Sequence, residues 1–459
     1  MKLNKTLNID VAIVGGGPAG YFTALKLKEL IPNLKIAIFE KGTHRKKGDK
    51  NILFGWGGAG TFSDGKLVYS TETGGWLSDF IEEREFLEIM NYIDETYLKF
   101  GLPSDKIFGT EPKEKIQELK TRALRFNLDL KTFKLRHAGS DGIYKVTENI
   151  LKKLLELGVE VNFNSEIKHI TVFGKKKFLE IKDGQKVKAN YLVLSPGRVG
   201  ADWFKNETKK LGLQFTDASQ TGVDIGVRIE AHSEIFKDFT DLLHEFKVQK
   251  YTNCFDDKVR TFCVCPYGYI KTEKIDDLSI VNGHSFFDLQ KRSQNTNFAI
   301  LATANFTHPF SDSIGYAMDV VKQANKLGGG KPLIQRLGDL KSGRRSTWKK
   351  INRGGIKPTL TEAEPGDISF ALSYRTLSNI IEFIESLEGI FPGLNNKDTL
   401  IYAVETKFYS NRIETKKGFE TSIDNLYVAG DGSGYTRSIV QAAMMGVVVA
   451  KSIALKIKK

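Results

Sequence analysis

Six consecutive residues near the start of the chain have the types and spacing of a phosphate-binding turn. Residues 15–20 have the sequence Gly-Gly-Gly-Pro-Ala-Gly, and an acidic residue, Glu40, follows twenty positions after Gly20. Gly15 permits a tight turn, Gly17 lets the backbone approach a pyrophosphate, and Gly20 allows a helix to pack closely on a strand. Free N–H groups at the start of that helix favour phosphates, and Glu40 can accept hydrogen bonds from a ribose diol. The pattern predicts a dinucleotide site.

The elements on both sides of this turn agree with that prediction. Residues 9–14 are almost all apolar, as expected for a strand that is covered on both faces. Residues 24–30 have leucines at helical spacing, and residues 35–40 form a second strand that ends at Glu40. A carboxylate at that position would repel a 2′-phosphate, so the pattern argues against NADP. A glycine turn in an ordinary β-α-β unit is the alternative interpretation.

A second glycine-rich segment, residues 55–67, is interpreted as a loop that packs against a flat cofactor. Its glycines repeat the Gly-x-Gly-x-x-Gly spacing, but no clear strand and helix surround them. The glycines allow close backbone approach, and the polar side chains could bond to a ribityl chain or a ring edge. A surface glycine loop is the alternative. The predicted contact residues here are Gly57, Gly58, Gly60, Thr61, Ser63, Asp64, Gly65 and Lys66.

A third signal lies near the end of the chain, where an apolar strand over residues 425–429 is followed by Gly430 and Asp431. In flavoproteins this aspartate holds a ribityl hydroxyl. The helix that follows directs its N-terminus at the flavin N1–C2=O edge, where negative charge develops on reduction. Arg437, at the start of that helix, would add to this effect. The alternative is an acidic turn in which Asp431 caps a core helix.

With these signals the chain resembles the FAD-dependent oxidoreductases that have the glutathione-reductase-type fold. The resemblance rests on residues 15–20 with Glu40, residues 191–197 and residues 425–434. Residues 55–67, 407–412 and 427–441 look more narrowly like a group of bacterial "uncharacterised FAD-dependent dehydrogenases". The resemblance implies FAD as the cofactor and identifies no substrate. A second fingerprint for NAD(P)H and the redox cysteine pair of the disulfide reductases are missing from the sequence.

The fold class expected from this resemblance is α/β (α+β overall), with a discontinuous Rossmann-like FAD-binding domain and an inserted β-rich substrate domain. The expected segments are residues 1–75, 146–215 and 406–459 for the FAD-binding domain, 76–145 for a mainly helical insertion, and 216–405 for the substrate domain. A turn is also predicted at Asp141 and Gly142, before a helix over residues 146–157.

Further cofactor contacts are predicted in the first turn, at the ends of strands and at the start of the last helix. These residues are Gly15, Gly17, Pro18, Ala19, Gly20, Glu40, Lys41, Gly197, Gly430, Asp431, Arg437, Ser438 and Ile439. The candidates for catalytic side chains that line a substrate are Lys66, Tyr409, Arg412 and Arg437. Each of the four has an ordinary structural role as its alternative, and no general base is identified.

The composition is that of a globular protein with a sizeable core: 459 residues, 41% hydrophobic and 27% charged, with a net charge of +13. Such a charge suits nucleic acid, acidic substrates or a membrane surface, but scattered lysines explain it as well. Three cysteines form no disulfide framework, which favours a reducing cytoplasm. Clusters typical of metal sites are missing from the sequence. The apolar stretch over residues 439–450 is shorter than a membrane span, so we expect a buried helix.

The function expected from these observations is an FAD-dependent dehydrogenase or reductase that transfers a hydride between a metabolite and flavin N5. Its partners would be a small-molecule substrate and NAD(P)H or a redox carrier. One alternative is an FAD-dependent protein that modifies or binds RNA, suggested by the basic residues within 344–353 beside Trp348. The other is a flavin-binding sensor without catalysis.

Overall fold

The computed structural model describes residues 6–44, 54–61, 64–103, 107–216, 222–275, 277–310, 312–407 and 412–459. The predictions for Ser63 and Tyr409 lie outside these residues. The chain divides into two compact units. Unit 1 comprises Met1–Lys106, Arg136–Ala218 and Ser410–Lys459, and unit 2 comprises Ile107–Leu135 and Ser219–Tyr409.

The regular elements are numbered in chain order. The helices are α1 (Pro18–Leu30), α2 (Glu83–Lys99), α3 (Lys113–Leu124), α4 (Gly139–Glu156), α5 (Ala201–Lys210), α6 (Lys237–Leu243), α7 (Ser313–Leu327), α8 (Leu337–Lys341), α9 (Trp348–Asn352), α10 (Tyr374–Leu387) and α11 (Ile439–Ile457). The strands are β1 (Leu7–Val14), β2 (Ile36–Phe39), β3 (Lys66–Tyr69), β4 (Ile107–Phe108), β5 (Asp129–Lys131), β6 (Lys134–His137), β7 (Glu160–Asn162), β8 (Ile167–Phe173), β9 (Lys176–Ile181), β10 (Lys186–Leu194), β11 (Val223–His232), β12 (Lys247–Tyr251), β13 (Lys258–Cys265), β14 (Tyr269–Ile275), β15 (Leu278–His284), β16 (Asn295–Ala304), β17 (Leu333–Arg336), β18 (Glu364–Pro365), β19 (Leu400–Lys407) and β20 (Leu426–Val428).

Unit 1 is built on a sheet with β1 at its centre. Strands β7, β2, β1 and β10 lie side by side and run parallel, and β20 continues the parallel order beside the carboxyl-terminal half of β10. The antiparallel hairpin β8–β9 pairs with the other half of β10. The chain moves from β1 to β2 on one side and later reaches β10 on the other. Such a switch in strand order opens a crevice at the carboxyl ends of the strands, and this sheet confirms the predicted Rossmann-like α/β class.

The last helix, α11, packs on the first helix, α1. A side chain at Gly446 would come within 2.3 Å of the Ala19 carbonyl oxygen, and Thr23 Oγ1 donates to the carbonyl oxygen of Gly446 at 3.1 Å. The helix is longer than the apolar stretch 439–450, because it continues to Ile457. The helix α11 has 19 residues, and its most apolar 18-residue window has a mean hydropathy of 1.6, so it is long and apolar enough to cross a membrane by length and composition; 72% of that window is buried inside the fold.

The turn predicted at Asp141 and Gly142 is wrong, because both residues lie in the first turn of α4. Gly142 N donates to the Ala138 carbonyl oxygen at 3.1 Å, which is the regular spacing of an α-helix. An acidic residue in the first turn is favoured by the positive end of the helix dipole. The Asp-Gly pair therefore begins the helix instead of preceding it.

Unit 2 is built on an eight-stranded sheet with the order β18-β17-β19-β11-β16-β13-β12-β5. Its neighbours are antiparallel except for β17 and β18. Its core includes a cluster of five phenylalanine rings, Phe236, Phe239, Phe246, Phe298 and Phe391. The sheet confirms the β-rich class expected for this part of the chain. Residues 107–135, expected within a helical insertion, contribute its edge strand β5, which pairs with β12.

Candidate functional site

Four loops of unit 1 start at the same edge of the parallel sheet. They follow β1 at Gly15, β2 at Glu40, β10 at Ser195 and β20 at Ala429. Two backbone hydrogen bonds extend the strand pairing into these loops: Gly15 N donates to the Phe39 carbonyl oxygen at 2.9 Å, and Ser195 N donates to the Val14 carbonyl oxygen at 2.8 Å. The residues that the sequence predicts for a dinucleotide are therefore brought together around the carboxyl end of β1.

In the glycine turn after β1, neighbouring atoms leave no room for a side chain at Gly15 and Gly20, whereas Gly17 has room for one. Gly15 has a φ of +106°, and a Cβ there would lie 2.2 Å from the Ser195 carbonyl oxygen. A Cβ at Gly20 would lie 2.0 Å from the Gly15 carbonyl oxygen, so α1 can pack on β1 only with glycine at this position. At Gly17 a Cβ would meet only the Cα of Gly58, at 3.9 Å. The open position is the one at which a pyrophosphate must approach the backbone.

Helix α1 begins directly at this open position. Gly17 is its N-cap and Pro18 its first residue, and no side chain caps its first N–H groups. Free N–H groups at the start of a helix, together with its dipole, favour an anion. The turn and the helix therefore fit the pyrophosphate of a dinucleotide.

The carboxylate of Glu40 is buried and held by the backbone. Its Oε2 accepts from Gly16 N at 2.8 Å, and its Oε1 accepts from Gly42 N and Gly55 N, both at 2.9 Å. A carboxylate has about four lone-pair positions, so roughly one position on Oε2 is left. A ribose diol would have to share the carboxylate with these amides, and the predicted double hydrogen bond from Glu40 stays a prediction.

Residues 55–61 form a loop that lies on the first turn, as expected for a cofactor loop. Gly57 N donates to the Gly16 carbonyl oxygen at 2.9 Å, and Gly58–Gly60 form one 3-10 turn. A Cβ at Gly60 would lie 3.3 Å from the side chain of Ile439 at the start of α11. The loop therefore joins the starts of α1 and α11.

Trp56 holds this loop in place by packing against the first turn and by two hydrogen bonds. Its ring would be 3.1 Å from a Cβ at Gly16, its Nε1 donates to the Thr147 carbonyl oxygen at 2.9 Å, and its own carbonyl oxygen accepts from Thr61 Oγ1 at 2.9 Å. The side chain is completely buried. Trp56 was not among the predicted contacts, although a large aromatic residue between glycines was a visible signal.

Asp64 and Lys66 form a buried ion pair. Lys66 Nζ is 2.8 Å from Asp64 Oδ2, and the side chains are 5% and 10% exposed. Burial would raise the pKa of Asp64, but the charge and hydrogen bonds of Lys66, together with the charge of His137, hold the pKa below its ordinary value. The charge of Lys66 is therefore matched within the protein, which favours the structural alternative; its role beside a substrate stays a prediction.

Asp431 lies at the start of the turn after β20. Its Oδ1 accepts from Thr436 Oγ1 at 2.7 Å, and its Oδ2 is 4.0 Å from Arg198 Nε. Burial raises the pKa of the Asp431 carboxyl, although Arg198 acts in the opposite direction. A Cβ at Gly432 would be 2.6 Å from the Gly197 carbonyl oxygen, so the turns after β20 and β10 touch. Arg198 and Thr436 were not among the predicted contacts. Arg198 could have been identified from the sequence, because it follows the end of a strand.

Three more of the predicted residues, Ala19, Ser438 and Lys41, lie at different places in unit 1. Ala19 packs under Gly430, whose Cβ would lie 3.1 Å from that of Ala19. Ser438 is the N-cap of α11, and its hydroxyl oxygen accepts from Gln441 N at 3.1 Å. Lys41 is 47% exposed, and its Nζ is 3.1 Å from Glu166. Lys41 is thus occupied by an ion pair on the surface of unit 1.

Replacing Asp431 should weaken the binding of FAD without unfolding unit 1. Removing a hydrogen bond to a charged group costs about 1.5–3 kcal/mol, so Asp431→Ala should lower the affinity for FAD roughly 10- to 150-fold. The measurement is the dissociation constant from the quenching of flavin fluorescence. Asp183→Asn is the matched control, because Asp183 is exposed in the turn between β9 and β10. Equal affinities for the two variants would contradict the prediction.

Comparisons with known proteins concern unit 2 and the whole chain, not the residues of this site. Residues 223–408 match the model of the family described as "FAD-dependent protein, C-terminal domain-like". An uncharacterized protein of Clostridium beijerinckii is 26% identical over 475 residues, covering 96% of this chain and 80% of the relative. The family match supports the prediction of FAD as the cofactor; the class of reaction and the glutathione-reductase-type detail stay predictions.

Two solved structures are similar over 98% of this chain and 95% of their own. They are the glycine oxidase of Geobacillus kaustophilus, at 12% identity and a TM-score of 0.42, and the L-proline dehydrogenase of P. horikoshii, at 11% and 0.43.

Proposed function

We propose that this FAD-dependent protein is a dehydrogenase or reductase that transfers a hydride between a small metabolite and the flavin. The observation that carries the proposal is the convergence of three segments at one edge of the unit 1 sheet. These are the turn at residues 15–20, the loop at residues 55–61 and the turn that begins at Gly430.

The residues of unit 1 divide the binding of FAD among them. The first turn of α1 would face the pyrophosphate, with Gly17 leaving room for it. Asp431 would accept a hydrogen bond from the ribityl chain. The N-terminus of α11, capped by Ser438, would favour negative charge at the pyrimidine edge of the ring. When bound, FAD supplies a ring that takes or gives a hydride at N5.

Two basic residues of the segment that suggested an RNA partner contact other residues of unit 2. Lys350 Nζ is 3.1 Å from Asp339 Oδ1, and Arg345 donates to the Pro365 carbonyl oxygen at 3.3 Å. Trp348 is partly buried against the core of unit 2. These contacts favour a structural role for the segment, and a nucleic-acid partner gains no support from them.

The test is anaerobic reduction of the purified protein. We expect a yellow protein whose flavin absorption band disappears on addition of NADH, NADPH or one member of a panel of small metabolites. Free FAD under the same conditions is the control. A protein that takes up no FAD, or one whose bound FAD is reduced by dithionite but by no metabolite and no nicotinamide, would overturn the proposal.

A further inference from the structure

The side chains of Arg412 and Arg437, both in unit 1, lie near the ring of Trp76. Arg437 comes just before α11 in the chain. The guanidinium carbon of Arg437 is 3.8 Å from the centre of the Trp76 ring, and that of Arg412 is 5.1 Å from the same centre. Two like charges on one ring repel each other. Such an arrangement needs a compensating negative group or a rigid frame that holds it.

The frame is a short antiparallel pairing between the segment around Trp76 and the loop before α11. Trp76 N donates to the Tyr435 carbonyl oxygen at 2.9 Å, and Arg437 N donates to the Gly74 carbonyl oxygen at 2.8 Å. Gln441, in the first turn of α11, donates from Nε2 to the Thr73 carbonyl oxygen at 3.1 Å. The backbone of both segments is therefore fixed relative to α11.

Arg412 is surrounded by aromatic rings. Its guanidinium carbon lies 5.1 Å from the ring of Phe80 and 5.2 Å from the ring of Tyr435, in addition to Trp76. Within the ranges that the structure describes, no carboxylate forms an ion pair with Arg412. Arg136, also in unit 1, differs in this respect: its Nε is 2.7 Å from Asp94.

Two guanidinium groups and a helix N-terminus give this cluster positive charge, and the carboxylate of Asp431 offsets part of the charge of Arg437. The N-terminus of α11, a helix of 19 residues, begins two positions after Arg437 and adds the positive end of its dipole. Arg437 is exposed and Arg412 is partly exposed, so a ligand can reach both from solvent. Planar guanidinium groups bind carboxylates through two parallel hydrogen bonds.

We propose that Arg412 and Arg437 hold the carboxylate of the substrate, so that the protein acts on a small carboxylic acid. This inference rests on the proposed function, because it places the anion beside the start of α11, where the flavin ring is proposed to lie. Trp76 provides the apolar wall that orients the two guanidinium groups. The alternative is that Arg412 only closes the aromatic cluster.

The experiment is a titration of the FAD-loaded protein with benzoate and, separately, with benzamide, its neutral analogue. Binding is followed by isothermal calorimetry and by the change in the flavin absorption spectrum. We expect benzoate to bind and to perturb the spectrum, and benzamide to bind at least tenfold more weakly. Arg412→Gln and Arg437→Gln should each weaken benzoate binding at least tenfold, measured on samples with the same FAD content, and Arg412→Gln should leave that content unchanged.

Two variants separate binding from structure. Arg412→Lys keeps the charge but loses the paired hydrogen bonds, so it should retain part of the benzoate affinity, whereas a purely structural role predicts loss of thermal stability with unchanged benzoate affinity. Arg84→Gln is the control for charge, because Arg84 is 91% exposed and pairs with Glu88 at 3.0 Å.

The inference is overturned if benzoate and benzamide bind equally, if neither binds, or if Arg412→Gln and Arg437→Gln bind benzoate as the unchanged protein does. In those cases a protein that still holds FAD and is reduced by a metabolite keeps the proposed function. A protein without FAD would instead remove the proposed function itself.

Discussion

Gly17→Ala should give a folded protein that has lost most of its affinity for FAD. The backbone at Gly17 has φ −82° and ψ −176°, which any residue adopts, and an added Cβ would touch only the Cα of Gly58, at 3.9 Å. The same Cβ would stand where the pyrophosphate must approach the start of α1. We expect FAD affinity to fall about 10- to 100-fold, which corresponds to roughly 1.4–2.8 kcal/mol.

Two further glycine variants make this result specific. Gly355→Ala is the matched control, because a Cβ there meets no atom within 4 Å and the residue belongs to unit 2. Gly20→Ala should fail differently: its Cβ would lie 2.0 Å from the Gly15 carbonyl oxygen, so the fold itself should be lost. Circular dichroism and flavin fluorescence separate the two failures. FAD affinity of Gly17→Ala equal to that of Gly355→Ala would contradict the prediction.

Arg228→Met should be the most damaging single substitution in unit 2. Arg228 and Glu405 are fully buried, with Nη1 2.8 Å from Oε2. Arg228 Nε also donates to Asn297 Oδ1, and Nη2 donates to the Cys263 carbonyl oxygen, both at 2.7 Å. Removing one partner of a buried ion pair costs about 3–5 kcal/mol. Lys407 Nζ, 3.1 Å from Glu405 Oε1, would still compensate part of the charge that remains. We expect the thermal transition to fall by roughly 6–20 °C.

The control for Arg228 is an ion pair of the same unit whose arginine is open to water. Arg375 is 59% exposed and bonds to both oxygens of Asp257, which is 12% exposed, at 2.6 Å. Water screens a pair with an exposed partner, so Arg375→Met should lower the transition in differential scanning calorimetry much less than Arg228→Met does. A double variant, Arg228→Met with Glu405→Leu, should be more stable than the sum of its parts predicts. Similar transitions for Arg228→Met and Arg375→Met would show that the buried pair contributes little.

The buried pair of Arg228 and Glu405 should also make the stability of the protein depend on pH. Burial raises the pKa of the Glu405 carboxyl, but Arg228 and Lys407 together outweigh it, so the pKa in the folded state is below the ordinary value. The stability that Glu405 contributes is therefore present above the pKa of the unfolded chain, about 4.3. It is lost as the pH falls through the folded-state pKa.

Local patterns in the sequence were sufficient where neighbours along the chain decide the structure. The glycine turn and the strands beside it lie where their patterns place them, because apolar spacing and glycine positions act over a few residues. The same reasoning failed at Asp141 and Gly142. A turn signal there was overridden by the first turn of α4, since Asp-Gly is also compatible with a helix start.

Contacts that depend on the whole fold limited how much of the site could be predicted from the sequence. Asp64 and Lys66 are neighbours in the sequence, but only the fold buries them together, and this burial favours Asp64 over a substrate as the partner of Lys66. Glu40 was expected to face a ribose, yet its oxygens accept hydrogen bonds from backbone amides at Gly16, Gly42 and Gly55. The fold determines these partners, because a buried carboxylate must accept hydrogen bonds from the donors that surround it.

The sequence by itself determined the kind of fold and cofactor, because the turn at residues 15–20 and the turn at Gly430 each require particular residue types within a few positions. Only the tertiary structure decided that residues 107–135 belong to unit 2 and that Arg412 and Arg437 meet on Trp76. These contacts join segments hundreds of residues apart. Their geometry depends on strand order and loop pairing, which no short stretch of sequence encodes.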